Sequence, residues 1–113
     1  MKKQDMLKKN KEFRYVCSRG KAVTSPYFVL ICAKNKYGKK AGFSVSSKLG
    51  NAVIRNRTKR IMRAGLSQLF SICEDNTSYL FIARAKLVGC TSTVACEQMR
   101  LLLQKAGKIN EEA

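Results

Sequence analysis

The chain has 113 residues, 45% of them hydrophobic. That is enough for one domain that buries roughly two-thirds of its unfolded surface, so neither wholesale disorder nor a second domain is expected. Lys and Arg number 23 against 7 Asp and Glu, a formal charge of +16; such an excess repels itself in a compact body and makes sense when a polyanion neutralises it, nucleic acid first and anionic membrane a distant second. The absence of histidine excludes His-based general-base catalysis, Ser–His–Asp triads and His–metal sites.

In chain order, residues 1–7 read as a basic arm that orders only on a partner, with no apolar stretch behind Lys2 and Lys3 to make a signal peptide. Residues 8–18 read as a short amphipathic helix, with Phe13, Val16 and Cys17 at helical spacing and Gly20 as its stop. Pro26 opens a strand, "YFVLICA", dense in β-branched and aromatic residues. At residues 27–33 this apolar run is far too short to span a bilayer. The basic turn "KNKYGKK" leads to a second strand, "AGFSVSS", whose small polar residues alternate with apolar ones. A helix is predicted over 51–72, a buried strand over "SYLFIAR", and a closing helix over "TSTVACEQMRLLLQKAG" with Ala95, Met99, Leu102, Leu103 and Ala106 on one face. A flexible tail is expected over 108–113. The order helix, strands, helix, strand, helix makes the chain a single α+β domain over 1–113, with helices mainly on one face of a small sheet. Cysteines at 17, 32, 73, 90 and 96, odd in number and without a Cys-x-x-Cys pair, read as buried or incidental thiols of a reducing, cytoplasmic setting.

The central helix carries the functional signal. "KLGNAVIRNRTKRIMR", residues 48–63, holds six basic side chains and no acid, and no acid occurs between Glu12 and Glu74. On a helical wheel Ile54, Thr58, Ile61, Met62, Leu66 and Leu69 share one arc, while Arg55, Lys59 and Arg63 repeat on the next arc at about 6 Å intervals, with Asn56 and Arg60 beside them. A solvated helix face interleaves both signs. This one aligns a single sign on a helix that also packs, which is the pattern of an anion-binding rail. The seven acids are scattered, so no convergent carboxylate cluster for a nuclease metal pair is present, and no P-loop occurs. Composition by itself leaves two readings nearly tied: a protein that assists a nucleic-acid-processing assembly, and a structural RNA-binding protein of ribosomal type. A duplex-DNA binder would need a groove-reading helix or dimer symmetry, and neither is evident.

The same residues resemble the signature helix of the bacterial ribonuclease P protein subunit family. The neighbouring pieces agree with that family: Phe13 and Arg19–Gly20 at the first helix, the strands "YFVL" and "GFSVSSK", then "FIAR" and a C-terminal amphipathic helix. The resemblance runs over roughly residues 6–106. It implies an αβββαβα sandwich with an uncommon left-handed β–α–β crossover, where general chirality rules would have given the right hand. It also implies the protein component of an endoribonuclease that matures tRNA 5′ ends, in which the RNA subunit holds the catalytic Mg2+ and the protein supplies no catalytic residue. The implied partners are that catalytic RNA and precursor tRNA, with no membrane and no required protein oligomer. Carried over by position, Lys48, Asn51, Arg55, Asn56, Arg57, Lys59, Arg60 and Arg63 would face the RNA subunit. Phe13, Cys17, Tyr27, Ile31, Ser44, Ser46 and Arg84 would line a cleft for the single-stranded 5′ leader, leaving Phe28, Leu30 and Cys32 for the core. Cys17 and Ile31 stand where the family usually places aromatics, and Ser47 where a lysine often precedes Lys48. The resemblance therefore implies a leader held less by stacking and more by charge than is usual in the family.

Overall fold

A computed structural model describes residues 1–109. Three helices and four strands follow one another as α1 (Asn10–Arg19), β1 (Lys21–Thr24), β2 (Phe28–Lys34), β3 (Lys40–Ser44), α2 (Ala52–Ser67), β4 (Thr77–Ala83) and α3 (Ser92–Lys105), with short 3-10 turns between. The sheet order is β1-β2-β4-β3. β2 is antiparallel to both β1 and β4, whereas β3 runs parallel to β4, with α2 as the crossover between them. β4 is thus an inner strand, and six of its seven residues are buried.

Strand alternation sends side chains to two different cores. Phe28, Leu30, Phe43, Tyr79 and Phe81 join Met62 and Leu66 of α2 and Ala95, Met99, Leu102 and Leu103 of α3 in the main core. Phe28 and Phe81 meet edge to face at 5.6 Å between ring centroids, the arrangement aromatic quadrupoles favour. On the other face Val16 of α1 packs with Leu7, Ala33 and Leu80, flanked by Phe13, Ile31 and Ile82. Two helices cover one face and one covers the other, as the expectation of helices mainly on one face requires. α2 and α3 come together at Gly65, where a Cβ would lie 3.0 Å from the backbone nitrogen of Cys96.

Four expectations change. The strand β1 is absent from the periodicity reading, although the resemblance implied three strands before the central helix. "KAVT" is an edge strand with three of its four residues exposed, so it shows no hydrophobic alternation to detect. The arm over 1–7 is not free: Met6 makes a parallel bridge to Ala41, the Leu7 amide donates to the Ala41 carbonyl at 2.8 Å, and Leu7 is buried. These residues cover the outer edge of β3, which would otherwise present unpaired backbone groups. The tail expected from 108 starts docked. Ile109 is buried and bridges Cys73, while Lys108 accepts from the Glu74 amide and its ammonium lies 3.4 Å from the Glu74 carboxylate; residues 110–113 lie outside the described range. Finally, α2 ends at Ser67 and not at 72. The Lys39 ammonium donates to the carbonyls of Phe70 and Cys73 and sits 4.7 Å from the Phe70 ring centre, so a long-range cation holds carbonyls at the 3-10 turn Phe70–Ile72.

The cysteines divide by environment. Cys32, Cys73 and Cys96 are buried, Cys90 is half-buried and Cys17 is exposed, so Cys17 is not part of the packed stripe of α1. Burial pushes the Cys32 and Cys73 thiols up to about 11, and both stay protonated at neutral pH.

Candidate nucleic-acid interface

The approach to α2 is a tight turn that aims its N-terminus. After β3, Ser46 accepts from the Lys48 amide at 3.2 Å and opens a 3-10 turn over Ser47–Leu49. Gly50 then adopts φ +156°, and a Cβ there would lie 2.7 Å from Ile54, so glycine is the residue that fits. Asn51 caps α2, its side-chain oxygen accepting from the Ile54 amide at 3.0 Å. The first turn of α2 contains no acid, which leaves the positive end of the helix dipole uncompensated.

Along α2 the two arcs separate as the spacing predicts. Thr58, Met62, Gly65 and Leu66 are buried, with Ile54 and Ile61 at the margin. The Thr58 hydroxyl donates back to the Ile54 carbonyl at 2.8 Å, which satisfies a polar group on the buried arc. Asn56, Arg57, Lys59, Arg60 and Arg63 are exposed, as are Lys48 and Asn51 before the helix. Arg55 is half-buried, and its Nε is sealed from solvent without a hydrogen-bond partner. Among the described residues none of these cations pairs with an acid. The rail is therefore a set of unneutralised donors on a rigid rod seated on the main core, and anions are what such a row binds.

Asn51 has two separable jobs. Asn51→Ala removes the cap and is expected to cost about 1 kcal/mol of stability, whereas Asn51→Ser retains a capping oxygen. Urea unfolding of both variants checks this, and a loss of RNA affinity that persists in the still-capped Ser variant would mark a direct RNA contact.

The leader-cleft residues are only partly brought together. Phe13 and Ile31 lie in one cluster on the α1 face with Ile82. Gly42 of β3 makes room for Leu7 and Phe13: a Cβ there would lie 2.8 Å from the first and 2.9 Å from the second. Ser44 is half-buried and Ser46 exposed, while Phe43 and Val45 between them are buried. Arg84 is exposed just past β4, its guanidinium donating to the Ser25 carbonyl at 3.2 Å. Cys17 is exposed on the same helix as Phe13. Tyr27 is set apart: it lies just before β2, packs against the main core, and carries the Lys86 ammonium 4.9 Å over its ring. The period of the strand groups it with Val29 and Ile31, and the resemblance makes that face the cleft; instead it sits in the turn that Ser25 organises through its hydroxyl, where strand alternation no longer holds.

A family profile described as Ribonuclease P matches residues 1–107. The chain belongs to the ribonuclease P protein family. Among similar proteins, the ribonuclease P protein component of Brevibacillus brevis is 36% identical over 115 residues, covering 100% of this chain and 90% of that one. The corresponding protein of a Nitratiruptor species is 39% identical, covering 93% of this chain and 94% of its own length. Among solved structures, the RNase P protein of Staphylococcus aureus superposes with a TM-score of 0.83 at 30% identity, covering 94% of this chain and 98% of that one. The protein from Thermotoga maritima gives 0.76 at 26% identity, covering 88% and 96%. The α+β fold of three helices on a four-stranded mixed sheet is that of this family.

Proposed function

We propose that this protein is the protein subunit of a ribonuclease P: it binds the catalytic RNA subunit through the α2 rail and the 5′ leader of precursor tRNA beside α1, and so promotes endonucleolytic 5′ maturation of tRNA in the cytoplasm. The observation that carries the reading is the acid-free run of cations from Arg55 to Arg63, unpaired among the described residues, on a helix whose other side is core. Physically the protein adds positive charge where two polyanions must approach each other, which lowers the magnesium needed to hold them together. Magnesium in this reading is held mainly by the RNA subunit. Among the described residues no three His, Cys, Asp or Glu side chains lie close enough to share an ion. Likewise no helix among them is long and apolar enough to cross a membrane.

The deciding experiment is cleavage of a precursor tRNA by the cognate RNA subunit at low magnesium, with and without the protein. Restored 5′ processing is expected. RNA binding with no change in cleavage would favour a structural RNA-binding role.

The leader half of the proposal makes its own prediction. With Cys17 and Ile31 in place of aromatics, the assembly should discriminate little between leader-bearing precursor and mature tRNA. Because Cys17 is exposed, Cys17→Phe should fold normally and raise precursor affinity by about 1–3 kcal/mol, the worth of one base–aromatic stack. A strong leader preference in the unaltered protein would overturn the weak-leader reading, and no gain in the variant would place the leader away from Cys17.

A further inference from the structure

α1 lies across its face of the sheet, with Phe13 beside Gly42 of β3 and its C-terminal Gly20 beside Ile31 and Cys32 of β2. The proposed leader residues Ser44 and Arg84 lie at the end of the sheet where β3 and β4 finish. At the opposite end, where β2 finishes and β3 and β4 begin, there is a cavity of about 630 Å³. Lys40 and Ser44, one at each end of β3, are four residues apart, or roughly 13 Å along a strand. The cavity lining includes none of the residues the family resemblance singles out.

Its lining is strongly one-sided in charge. Lys9 and Lys11 come from the start of α1, Lys34 and Lys36 from the end of β2 and the turn after it, and Lys40 from β3. The one acid, Glu12, is already engaged: the amides of Lys8 and Lys9 donate to its carboxylate at 2.7 and 3.3 Å, and the Lys40 ammonium lies 3.9 Å away. The Lys8 amide bond is the main reason its carboxyl stays below the ordinary carboxylate range, against a smaller opposing effect of burial. Five lysines less one carboxylate leave a lining of +4.

Two aromatic rings stand in the same cavity. Tyr15 is half exposed, and its hydroxyl donates to the Lys34 carbonyl at 3.3 Å, which ties the ring to the rim. Tyr37 is 81% exposed at the tip of the turn, with the Lys36 ammonium 5.2 Å from its ring centre. The turn beneath it is held, because Asn35 accepts from the Tyr37 amide at 3.0 Å and donates to the Ser78 hydroxyl at 3.0 Å. A large aromatic at 81% exposure contributes nothing to a core. Exposed rings among amines, on a turn fixed from below, are the parts that hold unpaired nucleotides by stacking and charge without reading sequence, and the volume suits a ligand of nucleotide size.

The geometry points to a second RNA-binding site here, one that takes a short unpaired RNA strand with bases on Tyr15 and Tyr37 and phosphates on Lys11, Lys34, Lys36 and Lys40. The strand comes either from the distal part of a long 5′ leader or from a single-stranded segment of the catalytic RNA; both present the same chemistry. The site extends the proposed function but does not depend on it, because the first test uses the protein alone.

The test is fluorescence anisotropy of a labelled oligouridylate titrated with the free protein at fixed salt. Tyr37→Ser and Tyr15→Ser should each weaken binding by about fivefold or more, the lower end for losing one base stack, while Tyr15→Phe, which keeps the ring but loses its tie to Lys34, should lose less than Tyr15→Ser. Lys36→Ala should weaken binding more than Lys21→Ala, an exposed lysine of β1 away from the cavity. Tyr37 lies in a turn, so its substitution leaves the fold intact even if Tyr15→Ser does not. Unchanged affinity in Tyr37→Ser, or equal losses from Lys36→Ala and Lys21→Ala, would overturn the site and leave only the general field of the protein. The holoenzyme then separates the sources. A loss that grows with leader length assigns the strand to the precursor, and a loss of affinity for the RNA subunit alone assigns it there. If the protein fails to stimulate cleavage yet the tyrosine variants lose oligouridylate, the site stands and the processing role falls.

Discussion

Replacing Arg55, Arg57 and Arg60 together with alanine should lower affinity for the catalytic RNA subunit by about three orders of magnitude. Each arginine that donates to a phosphate contributes at least about 1.5 kcal/mol as a charge-assisted hydrogen bond, which is roughly tenfold per site. The more specific signature is ionic strength. Each lost phosphate contact reduces the slope of log affinity against log salt by about 0.7–0.9, so the triple variant should flatten it by roughly two to three units. Folding should be little affected for Arg57 and Arg60, which are exposed and unpaired among the described residues. Arg55 differs: its half-buried stem packs at the edge of the hydrophobic arc, so Arg55→Ala should also lose some stability. Filter binding across a salt series, with circular dichroism to confirm folding, checks both parts. An unchanged salt slope in the triple variant would remove α2 from the RNA interface.

The largest effect on stability is expected at Phe81. It lies on the inner strand β4, is fully buried, opposes Leu30 on one side and Phe43 on the other, and meets Phe28 edge to face. Phe81→Ala removes a large apolar side chain from a site whose neighbours are locked in the sheet ladder and cannot collapse into the gap, at a cost of about 3–5 kcal/mol. For a domain of this size each kcal/mol corresponds to about 4–8 °C, so the melting temperature should fall by roughly 12 °C or more. That is a large fraction of the total for a small domain. Stimulation of cleavage should vanish near the lowered melting temperature and return on cooling, because the rail itself is untouched. Differential scanning calorimetry with parallel activity measurements tests this; a melting temperature within a few degrees of the unaltered protein would mean that the core around β4 is looser than its burial indicates.

The helices were legible to the degree that their burial is periodic. In α3 the predicted face of Ala95, Met99, Leu102 and Leu103 is the buried one, and in α2 the predicted arc seats Thr58, Met62 and Leu66 in the core. The rail was legible for a second reason: an absence of acids along a helix face is a statement about charge, and it needs no coordinates to read. The strands "YFVLICA" and "SYLFIAR" announced themselves by apolar density, since both lie inside the sheet. What periodicity missed follows from contacts that span the chain. β1 buries almost nothing of its own and exists because β2 offers it a partner. The arm over 1–7 and the start of the tail look polar and free, yet Ala41 and Cys73 dock them.

The cavity beside α1 shows the same limit at a functional level. "KNKYGKK" read as a basic turn, and nothing in its spacing connected it to Lys11 or Tyr15. That the chain carries an acid-free basic helix on a small α+β core could be read from its residues, because those properties reside in the period and charge of single segments. The docking of Met6 and Leu7 on β3 and of Ile109 on Cys73, the packing of Tyr27, and the meeting of Tyr15, Tyr37 and five lysines in one cavity came only from the fold. Those arrangements arise from pairing between segments far apart in the chain, and hydrophobic and charge patterns within one segment carry no information about them.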